Sequence, residues 1–166
     1  MEIKIKKLMD KESAPFELFL KADPSLELIK HYLEQGECFL ASISQKVVGG
    51  YILLPTSSET VEIMNLAVKE EYQRKGIGRK LIMHAIHEAK EQHFTQIEIG
   101  TGNSSIGQLA LYQKCGFRIT DVVLDFFVKN YPEAIFENGI QCRDMIRLVQ
   151  KIEPMKGQGS KHDCRI

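Results

Sequence analysis

Residues 61–101 constrain the fold more than any other stretch of the chain. They hold the run VEIMNLAV, a loop with two glycines spaced two apart, a long amphipathic segment, and a second short run, QIEIGT. From Gly78 onward Leu81, Ile82, Ala85, Ile86 and Ala89 recur at helical spacing, which predicts a helix reaching about Gln92. A strand, a crossover helix and a second strand in one sheet must lie parallel, because an antiparallel return needs only a short turn. Strands at 61–68 and 96–100 are therefore expected as parallel neighbours. The glycine loop then sits where the first strand hands over to the helix.

The rest of the chain builds outward from this unit. CFLASIS, VVGGYILL and TVEIMNLAV are separated by polar turns and predict an antiparallel meander. Ile3 and Ile5 alternate with charged residues as in a half-buried strand. Two helices are expected before the meander, one from Ser13 through Leu20 and one capped by Ser25 and ended by Gly36. Ser105 and Gln108 have capping-box spacing ahead of Leu109, Leu111 and Tyr112, and Gly116 stops that helix. Strands at about 117–127 and 143–151 close the pattern, joined by a long aromatic loop. The sum is an α+β fold, a mixed and mostly antiparallel sheet of about seven strands with about four flanking helices. Residues 1–153 form one domain in this scheme, and 154–166 form a mobile tail with little to bury.

Size and charge narrow the function classes. At 166 residues the chain suits one domain, and 22 basic residues balance 22 acidic ones, so the summed charge draws neither nucleic acid nor an anionic membrane. Any polyanion must be held locally. No apolar run approaches the roughly 20 residues of a membrane span. Cys38, Cys115, Cys142 and Cys164 form no CxxC pair, and the first residues lack a signal-peptide core, which predicts a reducing, cytoplasmic setting.

The loop Val68-Lys-Glu-Glu-Tyr-Gln73-Arg74-Lys75-Gly76-Ile77-Gly78 has the chemistry of a phosphate cradle. A helix start leaves about four N–H groups without partners, at the positive end of the dipole. Gly76 and Gly78 allow close backbone approach, and Arg74, Lys75, Arg79 and Lys80 add charge. A Walker A loop needs GxxxxGK followed by Ser or Thr, which KGIGRKL lacks. A dinucleotide fingerprint needs a small residue where Leu81 stands.

The segment resembles the acetyl-CoA signature of the GNAT superfamily of N-acetyltransferases, Q/R-x-x-G-x-G/A, matched by Gln73-Arg74-Lys75-Gly76-Ile77-Gly78. Leu66-Ala67-Val68 ends the preceding strand five residues before Gln73, as that pattern does. LALYQKCGF at 109–117 resembles the second signature, built around a Tyr, a Gly and a Phe. The resemblance spans roughly residues 1–150. It implies the GNAT fold, in which strands four and five splay and the pantetheine arm of acetyl-CoA lies in the gap. Leu66, Ala67 and Val68 are then expected to meet the pantetheine with their main chain, and Gln73 through Arg79 the pyrophosphate. An N–H near Leu66 or Ala67 is expected to face the acyl oxygen.

The same resemblance implies direct acetyl transfer from acetyl-CoA to a primary amine of a small molecule or peptide, with Tyr112 as general acid. Packing on an apolar helix face is the competing role for Tyr112. Glu62 is a candidate base, with an ordinary solvent-facing glutamate as the alternative. Asn103 and Ser105 are candidates for contact with the pantetheine, or for simple loop and capping duties. His84 and His87 lie three apart, but no partner completes a metal set, so no metal is expected. Phe126, Phe127, Tyr131, Glu133 and Glu137 fall in the long loop beside the expected acceptor site. A non-catalytic acyl-CoA sensor on the same fold is the rival function. Dimers are common in the superfamily, so a homodimer stays open.

Overall fold

The computed structural model describes residues 2–155. Strands β1 (Lys4–Lys7), β2 (Glu37–Ile43), β3 (Lys46–Pro55), β4 (Thr60–Val68), β5 (Gln96–Gly102), β6 (Arg118–Val123) and β9 (Met145–Lys151) form one seven-stranded sheet. Their order is β1-β2-β3-β4-β5-β9-β6. β4 and β5 are parallel, and every other neighbouring pair is antiparallel. The helix between β4 and β5, α3 (Ile77–Glu91), is the crossover that makes them parallel.

Each face of the sheet has its own core. On one side Leu81, Ile82, Ala85, Ile86 and Ala89 of α3 meet Val48, Val61, Ile63, Ile97 and Ile99, joined by Tyr112 from α4 (Ile106–Lys114). On the other side α1 (Phe16–Leu20) and α2 (Leu26–Gln35) lay Leu18, Phe19, Ile29 and Leu33 against Ile52 and Ala67. Ser25 caps α2 by accepting from Leu28 N–H at 3.3 Å.

The pairing of β4 explains where a ligand can enter. Its register with β3 shifts between Ile52 and Leu53, leaving Met64 as an extra residue opposite neither. Val61 and Ile63 face the α3 side, but beyond Met64 that face is taken by Leu66 and Val68, while Ala67 turns to the α1–α2 side. Pairing with β5 runs only from Thr60↔Gln96 to Ile63↔Ile99. Beyond that rung β4 stays with β3 and β5 stays with β9, so a gap opens between Met64 and Gly100.

Two expectations need correction. The segment expected as a long loop contains a fifth helix, α5 (Phe126–Asn130), and a hairpin of β7 (Ile135–Glu137) and β8 (Ile140–Cys142). Asn138 (φ 55°) and Gly139 (φ 73°) make its turn. β6 ends at Val123 because Asp125 adopts φ 60° and leads straight into α5. At the other terminus Met155 N–H donates to Lys90 O at 2.9 Å, which ties the first residues after β9 to α3. The remainder of the expected tail, with His162 and Cys164, lies outside the described residues.

Candidate active site

The gap between β4 and β5 leaves main-chain groups of β4 without a strand partner. A Cβ on Gly49 would lie 2.9 Å from the Ala67 carbonyl oxygen, and Lys69 N–H donates to Val48 O at 2.8 Å. Ala67 and Lys69 therefore point at β3, and by alternation Leu66 and Val68 point into the gap. Of Leu66 and Ala67, Leu66 is the one whose N–H turns into the gap. Gln73 Nε2 donates to Val68 O at 3.0 Å, so this glutamine folds the loop back onto the strand end and spends the Val68 carbonyl.

Below the gap lies a cleft of about 590 Å³ lined by Leu66, Ala67, Val68, Gln73, Arg74, Gly76, Ile77, Gly78 and Arg79, among others. Gly76 is the N-cap of α3 at φ 82°, and no side chain caps the helix. Its first amides are thus left for a ligand. The two glycines divide the work. A Cβ on Gly76 would have nothing within 4 Å, so conformation is what requires glycine there, whereas a Cβ on Gly78 would press Leu111 Cδ2 at 3.3 Å. Arg74 itself holds φ 62°, an uncommon state for a residue with a side chain. Lys75 departs from the expected set: its Nζ stacks over the Tyr72 ring at 5.5 Å, and it does not line the cleft. Lys21 and Lys114, which sequence reasoning missed, do line it. With Arg74 and Arg79 they make every charged side chain in that lining basic. Such a cradle fits a diphosphate.

A second cavity of about 510 Å³ adjoins the first, sharing Lys21, Ala22, Leu66 and Gln108. Tyr112 lines it, 5 % exposed, with its ring 6.4 Å from Phe117. Burial pushes the phenol's pKa above its ordinary value, and Cys115 adds to the shift. Glu62 also lines this cavity and is not a solvent-facing glutamate. Arg147 of β9 grips it twice, Nη2 to Oε1 at 2.9 Å and Nη1 to Oε2 at 3.3 Å. Arg147 Nη2 also lies 3.6 Å from Glu98 Oε1. Glu62 and Glu98 are register partners on parallel strands, and the arginine separates their charges.

Asn103 takes the loop duty that stood as its alternative role, and Ser105 bonds to the β7–β8 hairpin. Asn103 Oδ1 accepts from the N–H groups of Arg143 and Asp144, and its Nδ2 donates to Gln141 O. It ties the end of β5 to the β8–β9 connection and lines neither cavity. Ser105 Oγ donates to Glu137 Oε1 at 2.9 Å and makes no cap bond to α4, so the capping-box expectation fails. Ser105 lines the second cavity, not the cleft. Of the aromatic-loop candidates, Phe126, Phe127, Tyr131 and Glu137 line that cavity and Glu133 does not. Asp23, Tyr32 and Arg147 join them without having been singled out in the sequence. Only strand register and the docking of the α1–α2 connection bring them there. Among the described residues no cluster of His, Cys, Asp or Glu could hold a metal, and no helix is long and apolar enough to cross a membrane.

Known proteins align with this arrangement. The sequence profile of the Acetyltransferase (GNAT) family matches residues 5–117. The uncharacterized N-acetyltransferase YvbK of Bacillus subtilis (strain 168) is 56 % identical over 133 residues, covering 80 % of this chain and 86 % of that protein. The solved IAA acetyltransferase of Bacillus cereus ATCC 14579 superposes with a TM-score of 0.88 at 50 % identity, over 91 % of this chain and 100 % of that one. A GNAT family acetyltransferase of Elizabethkingia anophelis, solved with acetyl-CoA bound, gives a TM-score of 0.88 at 49 % identity over 90 % and 98 %.

Proposed function

Since the chain belongs to the acetyltransferase (GNAT) family, we propose that it transfers an acetyl group from acetyl-CoA to a primary amine of a small molecule or peptide, by direct attack in a ternary complex. One observation carries this reading: a strand edge left open by the splay of β4 and β5 sits between a basic glycine cradle and a second cavity. Residues 1–153 are the catalytic domain in this scheme. The described cysteines Cys38, Cys115 and Cys142 are free thiols, which fits a cytoplasmic setting.

Bound acetyl-CoA supplies an activated acyl group and a diphosphate. Leu66, through its gap-facing main chain, and Val68, through its N–H, hold the pantetheine arm, and Gln73 fixes the loop that follows by occupying the Val68 carbonyl. Gly76, Ile77 and Gly78 offer main-chain amides to the diphosphate while Arg74 and Arg79 offset its charge. Leu66 N–H is aimed where negative charge grows on the acyl oxygen, a type of contact worth roughly 3–4 kcal/mol in other enzymes.

An acceptor ammonium with a pKa of about 10.4 must lose a proton before it attacks. Glu62, with both oxygens held by Arg147, receives that proton through water. Tyr112 keeps the proton on its Oη across neutral pH and offers it to the departing sulfur. Release of free CoA thiol across an amine panel tests the proposal. Tyr112→Phe should lower kcat by about 100-fold with little change in CoA affinity by calorimetry. Unchanged kcat removes Tyr112 as the acid, and no turnover with any amine favours a non-catalytic acyl-CoA sensor.

A further inference from the structure

The two adjoining cavities differ in sign. Charged side chains lining the cofactor cleft are Lys21, Arg74, Arg79 and Lys114, with no carboxylate among them. In the acceptor cavity Asp23, Glu62 and Glu137 face Lys21 and Arg147. Arg147 is already committed to Glu62 and lies beside Glu98. The chain's zero net charge conceals this local separation.

Asp23 and Glu137 are each half used. Asp23 Oδ1 accepts from Ser25 N–H and from Tyr131 Oη, both at 3.0 Å, and Glu137 Oε1 accepts from Ser105 Oγ at 2.9 Å. Among the described residues no group donates to Asp23 Oδ2 or Glu137 Oε2. An independent feature points the same way. Asn65, only 5 % exposed on the cavity wall, donates from Nδ2 to Phe19 O at 3.1 Å, while its Oδ1 has no donor. Of these acceptors only Asn65 Oδ1 is buried and without a donor; Asp23 is half-buried and Glu137 exposed, so a cationic ligand replaces water at their free oxygens. An ammonium has donors and nothing else.

The apolar part of the wall suits the same ligand. Phe126 and Phe127 meet edge to face at 5.2 Å, and Phe127 stacks on Tyr131 at 5.7 Å. Such faces attract cations. The Tyr131 hydrogen bond to Asp23 joins this wall to the α1–α2 connection, so cation and aromatic subsites are held together. Burial first, then Asp23, raises the pKa of both Tyr32 and Tyr131, and Glu62 adds to the shift of Tyr32, as a negative field requires.

Resting on the acetyl-transfer reading above, we infer that the acceptor is a small dicationic amine: one amine is acetylated and the second cation is held by Asp23 and Glu137 against the aromatic wall. An uncharged tail leaves the two carboxylates unanswered, and an anionic tail is repelled by them.

Putrescine, butylamine and γ-aminobutyrate share a four-carbon chain and differ in tail charge. CoA thiol release should give putrescine a kcat/KM at least about tenfold above butylamine, with γ-aminobutyrate lowest. Asp23→Asn and Glu137→Gln keep the oxygens that accept from Ser25, Tyr131 and Ser105, so the wall stays built. Each should shrink the putrescine-to-butylamine ratio several-fold, mainly through KM. Butylamine or γ-aminobutyrate matching putrescine, or variants that keep the wild-type ratio, would overturn the inference. Should no amine release thiol, the transfer reading fails on its own, and calorimetric titration of putrescine into the CoA-loaded protein decides the rest. Binding weakened by the two substitutions upholds the cation site, and no binding overturns it.

Discussion

Gly76 holds φ 82° in open space, so an alanine there meets no atom and still strains the chain. Gly76→Ala should cost about 1 kcal/mol in a denaturant titration and weaken CoA binding by calorimetry, because the amides it orients belong to the cradle. Another single-residue effect is tied to pH. His84 Nδ1 lies 2.7 Å from Tyr51 Oη, and with the phenol as donor the ring is neutral with its proton on Nε2. Burial is the main force lowering the His84 pKa; His87 also lowers it and Glu88 opposes them. The folded pKa is below the unfolded one, so this contribution is whole above about pH 6.5 and is lost as pH falls from there through the folded value. His84→Gln should flatten the decline of the denaturation midpoint between about pH 7 and about pH 5. An unaltered slope would assign the decline to other groups.

Among the elements, β9 does more than close the sheet. It places Arg147 between Glu62 and Glu98, which the parallel pairing of β4 and β5 sets side by side. Arg147→Met leaves a largely buried carboxylate, 11 % exposed, facing a second one. The expected loss is about 3 kcal/mol, read from the denaturation midpoint, and adding Glu62→Gln to the same chain should restore part of it. A loss confined to activity, with stability intact, would contradict this account. β4 contributes through its bulge: one extra residue at Met64 exchanges the faces of the strand and sets Asn65 into the wall of the second cavity.

For the whole molecule, CoA binding and folding are linked by mass action. CoA at a hundredfold excess over its Kd should stabilise the fold by about 2.7 kcal/mol, a rise of several degrees in Tm by calorimetry. ATP or NAD at equal concentration should raise it less, and an equal rise would overturn the cofactor assignment. Balanced charge over the full chain coexists with a basic cleft beside an acidic cavity, so charge separation, not net charge, shapes what each cavity admits.

The amino-acid sequence determined what depends on short range: the crossover unit, the glycine loop and the apolar periodicities that put Tyr112 on an inward helix face. Those signals are local because strand alternation, helix periodicity and left-handed turns are set by residues a few positions apart. Tertiary structure alone decided the rest. Arg147 meets Glu62 across 85 positions and Tyr131 meets Asp23 across 108, so neither pairing leaves a trace in local pattern. The same holds for Asn103 and Ser105, whose polar groups bond to the hairpin and the connection after it, 32 to 41 positions away. Register and long-range docking set beside a legible glycine loop a second cavity that no stretch of sequence spells out.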